Sequence, residues 1–205
     1  WAKLCRDAGC KKPASMHARV HCHTNGYVLT QQQLLNNNAR ITLQALAAAL
    51  GGVQSIHTCS YDEATTIPTE ESHRTALRTQ QILMWESGVR AVADPLGGSY
   101  FMEKLTDEIE EEAWAIFDEI EASGGYMKGL ETGEVKRAID NSAYELKQRI
   151  NGGDLTVVGV NRYVSDEPEN YHPFRVDPTM DAKAKDRLER YRAGRDEEAV
   201  QRALA

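Results

Sequence analysis

RVHCHTNGYVL, at residues 19–29, is the first of three segments from which we predict the fold of this chain. The other two are NNNARITLQALAAALGG at 36–52 and SIHTCSYDEA at 55–64. Together they predict a strand, a loop, a helix, a second strand and a second loop, with polar residues crowded after each strand. Reactive groups of a β/α barrel gather at the carboxyl ends of its parallel strands. We therefore expect these segments to form part of a barrel rim that holds a functional site.

The helix between the two strands has clear boundaries in the sequence. It is predicted over residues 36–50, and Gly51-Gly52 ends it. A second strand is predicted over 53–59. The apolar residues expected on one face of the helix are Ala39, Leu43, Leu46 and Leu50.

Further helix and strand signals follow the second loop. Thr69 is a candidate N-cap for a helix that runs to Ser87-Gly88, and VRAVAD at 89–94 predicts a third strand. Strands that alternate with helices indicate a parallel α/β unit. Three strands are too few to close a barrel of eight, so we expect residues 1–100 to form only a part of a β/α barrel, with its strands and helices in alternation.

The second half of the chain is predicted to be mostly helical. Apolar stripes over 105–120 and 135–150 predict two helices, and LTVVGV at 155–160 predicts a buried strand, which gives a helical segment over 101–165. Residues 166–205 are predicted to be a linker or arm. In that arm Pro168, Pro173 and Pro178 mark an extended stretch before a charged helix from about 180 to 204.

Composition limits the classes of function. The formal net charge of −7 argues against a nucleic-acid or membrane-surface partner, which would require clustered Lys and Arg. The four cysteines, Cys5, Cys10, Cys22 and Cys59, do not reach the density of a disulfide scaffold and predict a reducing cytoplasm. Cys5 and Cys10 do not have the spacing of a zinc knuckle. Because the sequence begins at Trp1 without methionine, we expect a fragment.

Histidines mark the ends of both predicted strands. His21 and His23 are two residues apart on the first strand, so their imidazoles should face one side, and His57 and Cys59 repeat that spacing on the second. Two interpretations remain open. The cluster could hold a metal, as His-x-His strands do in some barrels, or the imidazoles could hydrogen-bond a ligand or one another.

Three polar features of the loops complete the candidate site. Asp62 and Glu63 are adjacent and should point in different directions, which does not favour paired-carboxylate catalysis. Glu63 could instead accept hydrogen bonds from two hydroxyls of a ribose, or be a surface acid. Gly26 could permit a tight turn or let a flat ligand approach the backbone. The residues 36–38, all asparagine, are suited to cap the helix that they precede.

Longer motifs resemble those of a known family. Over nearly all of residues 1–200 the chain is similar to the large, catalytic subunit of adenosylcobalamin-dependent acyl-CoA mutases, the methylmalonyl-CoA mutase family. The motifs are RVHCHTNGYVLT, NNNAR, GGVQSIHTCSYDEA, PTEESHRTALRTQQIL, ESGVRAVADPLGGSY, IEASGGYMKGLETG and VGVNRY. They are long and follow one another in the order and spacing of the family.

The resemblance implies a fold and a set of partners. The fold is α/β: the C-terminal part of a (β/α)8 TIM-type barrel, followed by a helical segment and an extended C-terminal arm. The implied partners are an acyl-CoA substrate, the remaining N-terminal half of the barrel, and a cobalamin-binding domain or small subunit, within an oligomer. The family's cobalt-ligating D-x-H-x-x-G motif does not occur in this sequence.

The resemblance also implies cofactor-binding residues. Gly26 matches a glycine beside the adenosylcobalamin, Glu63 matches the glutamate that hydrogen-bonds the adenosyl ribose, and Thr66 matches a further contact position. His23 stands where the methylmalonyl-CoA mutases have glutamine, and Cys59 where they have asparagine. These departures keep a polar group at His23 and weaken the polar contact at Cys59. No residue of this chain is implied to be catalytic or to bind a metal.

The implied reaction is a radical rearrangement of the carbon skeleton of a short acyl-CoA. The candidate substrates are methylmalonyl-CoA with succinyl-CoA, or related isobutyryl-, ethylmalonyl- or hydroxyisobutyryl-CoA. Such an isomerase is expected to be inactive without the N-terminal barrel half and the cobalamin domain. Two alternatives remain: a barrel metal hydrolase that uses His21, His23 and His57, and a non-catalytic assembly piece whose sheet edges a partner covers.

Overall fold

Two short parallel strands, β1 (His21–His23) and β2 (Ser55–His57), lie side by side in register, with His21 opposite Ser55 and His23 opposite His57. The long helix α3 (Asn37–Leu50) connects them. Parallel strands require such a crossover, because a tight turn can join only antiparallel neighbours. The helix-rich chain with a small parallel sheet confirms the predicted α/β class.

The computed structural model describes residues 1–166, 171 and 173–204. It divides into two units, Trp1–Tyr171 and His172–Ala205. Besides α3, the helices of the first unit are α1 (Ala2–Asp7), α2 (Pro13–Met16), α4 (Glu70–Glu86), α5 (Tyr100–Ala122), α6 (Tyr126–Glu131) and α7 (Glu134–Gly152). Short 3₁₀ helices cover Gly26–Val28, Leu34–Asn36 and Val89–Ala91. The second unit has α8 (Met180–Gly194) and α9 (Glu197–Leu204).

Helix α3 forms where the sequence predicts it but buries a different face. The predicted inward residues include Leu43, which is 68% exposed, whereas Asn37, Ile41 and Ala45 are the buried positions. The helix is rotated in this way because the Asn37 side chain must point inward to bond the neighbouring loops. Hydrophobicity alone does not reveal that requirement.

Helix α4 begins as predicted. The Thr69 hydroxyl accepts a hydrogen bond from the Ser72 amide at 3.1 Å, which satisfies one of the free N–H groups of the first turn. The helix is fixed to the end of β2 through Thr58, whose hydroxyl donates to the Ala76 carbonyl at 2.8 Å and accepts from the Gln80 side chain at 2.9 Å. This contact positions the loop that follows β2.

Two predicted strands are wrong. Residues 89–94 contain a 3₁₀ helix, Val89–Ala91, which starts after Gly88 adopts a left-handed conformation with φ of 74°. Residues 155–160 turn back on themselves, with only an isolated bridge between Val158 and Arg162. The Asn161 side chain fixes that turn by bonding the backbone at residues 150, 155 and 157. Local turn chemistry therefore overrides the β-branched composition of both stretches.

The predicted helices of the second half are present as α5 and α7, but the stripe of α5 is not buried: Ile109, Ile116 and Phe117 are exposed in the described part of the chain. The charged helix predicted as one piece over 180–204 is two, because Arg195 is extended and the Asp196 carboxylate accepts from the Ala199 amide to begin α9. Pro168 lies outside the described residues. Among the residues that are described, no helix is long and apolar enough to cross a membrane.

Candidate functional site

The carboxyl ends of β1 and β2 are joined by side-chain as well as backbone hydrogen bonds. The Thr24 amide donates to the His57 carbonyl at 3.0 Å, and the Cys59 amide donates to the Thr24 hydroxyl at 2.8 Å. Thr24 and Cys59 are both buried, at 2% and 1% exposure. The Thr24 hydroxyl therefore extends the pairing beyond the strands and holds the two loops of the site together.

Two imidazoles stack at this edge. The rings of His23 and His57 lie 4.4 Å apart between centroids at 26°. Burial lowers the pKa of His57, as does neighbouring His23, while Glu63 opposes them. His21 is instead bonded through Nδ1 to the Ser55 hydroxyl at 2.7 Å.

The four residues of the two predicted pairs therefore do not form one cluster. His23, His57 and Cys59 come together, since the Cys59 sulfur lies 3.9 Å from His23 Nε2, whereas His21 is engaged with Ser55. Within the described ranges, no group of three or more His, Cys, Asp or Glu side chains is arranged to hold a metal ion. The His23 and His57 rings contact each other by stacking rather than through a hydrogen bond, so hydrogen bonding of these imidazoles to a ligand stays a prediction.

The Cys59 thiol faces the interior of the site. It donates to the Thr24 carbonyl at 3.1 Å. Burial raises the pKa of Cys59, the bond with Thr24 lowers it, and Glu63 raises it further. The thiol is therefore protonated near neutral pH, and Cys59 contributes packing with Leu29 and Ile41 as well as polarity.

Gly26 and Glu63 face each other across the two loops. A Cβ atom placed on Gly26 would lie 3.2 Å from Glu63 Cγ and 3.8 Å from the Cys59 sulfur. A side chain at position 26 would therefore press on Glu63, whose own side chain is exposed. Thr66 follows in the same loop, half-buried, with its amide donating to the Asp62 carbonyl at 3.1 Å. The structure thus brings Gly26, Glu63, Cys59 and His23 together, and the cofactor binding that the family resemblance implies for them stays a prediction.

Asp62 is an anchor of this loop that the sequence did not reveal. It points inward, at 0% exposure, while adjacent Glu63 points outward, which agrees with the prediction that the two diverge. Asp62 Oδ2 accepts from the Tyr171 hydroxyl at 3.0 Å and from the Thr69 amide at 3.4 Å. Burial raises the pKa of Tyr171. Because Tyr171 is 109 residues away in the sequence, no local signal indicates this contact.

Asn37 is a second anchor. Its side-chain amide donates to the carbonyls of Thr30 and Tyr61, both at 2.8 Å, and its oxygen accepts from the Thr30 amide at 3.1 Å and from Arg40 at 2.7 Å. The prediction that the asparagines cap α3 through their side chains is wrong, since the N-cap Asn36 makes no such bond. Asn37 instead links the loop before α3 to the loop after β2.

The rim combines an exposed carboxylate with two imidazoles. Glu63 is exposed and lies against Gly26, and it is close enough to His57 to affect the pKa of that imidazole. An ionised carboxylate accepts hydrogen bonds from hydroxyl donors strongly.

Comparison with known proteins is consistent with this geometry. The family model described as methylmalonyl-CoA mutase matches residues 1–205. The 2-hydroxyisobutanoyl-CoA mutase large subunit of Aquincola tertiaricarbonis is 45% identical over 208 residues, covering 100% of this chain and 37% of that protein. The methylmalonyl-CoA mutases of Cereibacter sphaeroides and Escherichia coli K12 are 43% and 41% identical, each covering 100% of this chain and 29% of the relative. The chain thus spans about a third of the length of these relatives.

Proposed function

Because the chain belongs to the methylmalonyl-CoA mutase family, we propose that it forms the cofactor-facing part of an adenosylcobalamin-dependent acyl-CoA mutase, an isomerase. The observation on which this rests is the opposition of Gly26 and Glu63. At that point the absence of a Cβ atom lets the exposed Glu63 side chain pack directly against the Gly26 backbone. In this proposal the two strands belong to the C-terminal part of a β/α barrel whose mouth faces the cofactor.

The residues present fit the cofactor. The adenosyl group of adenosylcobalamin carries a ribose with two neighbouring hydroxyls, and Glu63 can accept from both. A Cβ atom at position 26 would lie 3.2 Å from Glu63 Cγ and displace that side chain, so glycine suits a position where Glu63 has to be held toward the ribose. His23 and Cys59 border the same place, where His23 offers a ring nitrogen and Cys59 a thiol bonded to the backbone.

In the mechanism that we propose, the chain binds and orients. When bound, adenosylcobalamin supplies the radical chemistry that rearranges the carbon skeleton of the acyl-CoA. Glu63 holds the ribose hydroxyls and acts neither as a general base nor as a nucleophile. Asp62, Thr24 and Asn37 hold the two loops in place through buried hydrogen bonds, which keeps Glu63 and Gly26 in position. Precise placement of a reactive group is a large part of what proteins contribute to cofactor chemistry.

The substrate and the partners are further parts of the proposal. We expect a short acyl-CoA, since relatives are named as methylmalonyl-CoA and 2-hydroxyisobutanoyl-CoA mutases. We also expect an N-terminal barrel half and a cobalamin-binding domain or small subunit, in an oligomer, because the chain covers only 29–37% of those relatives and one is named a large subunit. The predicted cytoplasmic compartment stays a proposal, because two other relatives are named as mitochondrial.

Titration of the full-length protein with adenosylcobalamin, followed by the absorbance of the corrin, tests this function. Glu63→Gln should weaken binding by about 10- to 100-fold, because each hydrogen bond to a charged group contributes about 1.5–3 kcal/mol. Glu111→Gln, an exposed glutamate on α5, is the matched control and should leave the affinity unchanged. Equal affinity in the wild-type protein and the Glu63 variant would refute the proposal.

A further inference from the structure

The end of α1 brings two cysteines together. The Cys10 amide donates to the Cys5 carbonyl at 2.9 Å, and the Gly9 amide donates to the Arg6 carbonyl at 2.9 Å. Gly9 has a φ of 85°, in the left-handed region. These two hydrogen bonds around a left-handed glycine define a Schellman motif, in which the residues joined by the outer bond commonly contact each other through their side chains. Here those residues are Cys5 and Cys10.

The two thiols are close enough for Cys10 to affect the pKa of Cys5, and small molecules can reach both. Both cysteines are free and half-buried. Burial raises the pKa of Cys5, and the neighbouring Cys10 thiol raises it further. A disulfide requires two Cα atoms within roughly 7 Å. The outer hydrogen bond of the motif joins the backbones of these same two residues, so it holds them in that range.

We propose that Cys5 and Cys10 form a reversible dithiol–disulfide site that a peroxide oxidises. In the first step one thiol, as thiolate, attacks the peroxide, the O–O bond breaks, and a sulfenic acid and one water form. In the second step the other thiol attacks the sulfenic sulfur, the S–S bond forms and a second water leaves. Two protons and two electrons pass from the thiols to hydrogen peroxide. This site is independent of the cofactor-binding proposal.

The other two cysteines provide internal comparisons. The Cys59 thiol is buried and donates to the Thr24 carbonyl at 3.1 Å, and the Cys22 thiol is directed to the His23 carbonyl at 3.9 Å. Neither lies in a Schellman motif with a second cysteine. Peroxide at low concentration should therefore oxidise the Cys5 and Cys10 pair to a disulfide before either of them.

The experiment uses the full-length protein, hydrogen peroxide and mass spectrometry of tryptic peptides. Cleavage after Lys3, Arg6 and Lys11 puts Cys5 in peptide 4–6 and Cys10 in peptide 7–11, and the other two cysteines fall in separate peptides. The expected result is a linked species of peptides 4–6 and 7–11, the loss of two titratable thiols, and full recovery with dithiothreitol. Absence of that linked species, or its formation equally fast in urea-unfolded protein, would overturn the proposal.

Two variants separate the contribution of the motif from general reactivity. Gly9→Ala strains the left-handed position without filling occupied space, and should slow formation of the disulfide. Gly52→Ala is the matched control, since Gly52 has a φ of 74°, also has open space around its Cβ position, and ends α3 in the same way. It should leave the rate unchanged. Cys5→Ser should leave a sulfenic acid on Cys10 that dimedone traps, and an equal effect of both glycine variants would contradict the proposal.

Discussion

Replacing Asn37 by aspartate tests whether buried hydrogen bonds hold the two loops of the site. The side chain is 0% exposed and its amide nitrogen donates to the carbonyls of Thr30 and Tyr61, both at 2.8 Å. In Asn37→Asp a carboxylate oxygen would face those two carbonyls without a proton to share. The shape of the side chain hardly changes, so the effect isolates hydrogen bonding from packing.

The expected loss of stability follows from these contacts. Two lost hydrogen bonds cost about 2 kcal/mol, and a buried acceptor that faces other acceptors costs about 1–3 kcal/mol more. Closer attraction to Arg40, which already donates to the Asn37 oxygen at 2.7 Å, offsets about 1 kcal/mol. The free energy of unfolding should therefore fall by about 2–4 kcal/mol. The difference in the free energy of unfolding between the wild-type protein and the Asn37→Asp variant should become smaller at acid pH, because a protonated carboxyl group regains one hydrogen-bond donor.

The assay is urea unfolding of the full-length protein, with the slope of the transition compared between variants. Asn38→Asp makes the same chemical change one residue later, in the first turn of α3, where a carboxylate favours the helix dipole. It should be neutral or slightly stabilising. An equal effect of the two substitutions, or no effect at Asn37, would refute the account of Asn37 as a link between loops.

Three further changes should have distinct effects. Gly26→Ala should displace the Glu63 side chain, 3.2 Å from the new Cβ, and weaken adenosylcobalamin binding in a titration while thermal stability stays nearly unchanged. Because burial and the stacked imidazole lower the pKa of His57, its neutral form stabilises the fold. This stabilisation is present above about pH 6.5 and is lost as the pH falls through the pKa that His57 has in the folded protein. His57→Gln should therefore make the free energy of unfolding depend less on pH below about 6.5. Tyr171→Phe removes the hydroxyl that bonds Asp62 at 3.0 Å and should lower the midpoint of urea unfolding by the equivalent of about 1–3 kcal/mol; an unchanged midpoint would exclude this anchor.

Short-range sequence rules predict some elements of the fold correctly and others wrongly. The Thr69 cap and the glycine stop at Gly52 use short-range rules, and both are confirmed. The strands predicted at 89–94 and 155–160 are wrong, because β-branched residues indicate only that a segment would fit a pleated, half-buried surface. At these two places the left-handed conformation of Gly88 and the hydrogen bonds of the Asn161 side chain produce turns instead.

In the candidate site, too, some residues could be predicted from the sequence and others could not. Residue spacing predicted that His23 and Cys59 lie close together, since parallel strands bring the residues after each strand to one edge, whereas the family resemblance assigned Gly26 and Glu63 to the site. The role of Asp62 in holding the loop could not be predicted, because its side chain bonds Tyr171, which is 109 positions away in the sequence. The division of the chain into barrel, helical segment and arm stays a prediction.

Hydrogen–deuterium exchange of the full-length protein, with and without adenosylcobalamin, tests the central claim most directly. Adenosylcobalamin is expected to slow exchange in the loops at 24–30 and 58–66, and hydroxocobalamin, which lacks the adenosyl ribose, is expected to slow it less. Protection confined to other parts of the protein, with both loops unchanged by adenosylcobalamin, would contradict the claim that these loops hold the cofactor.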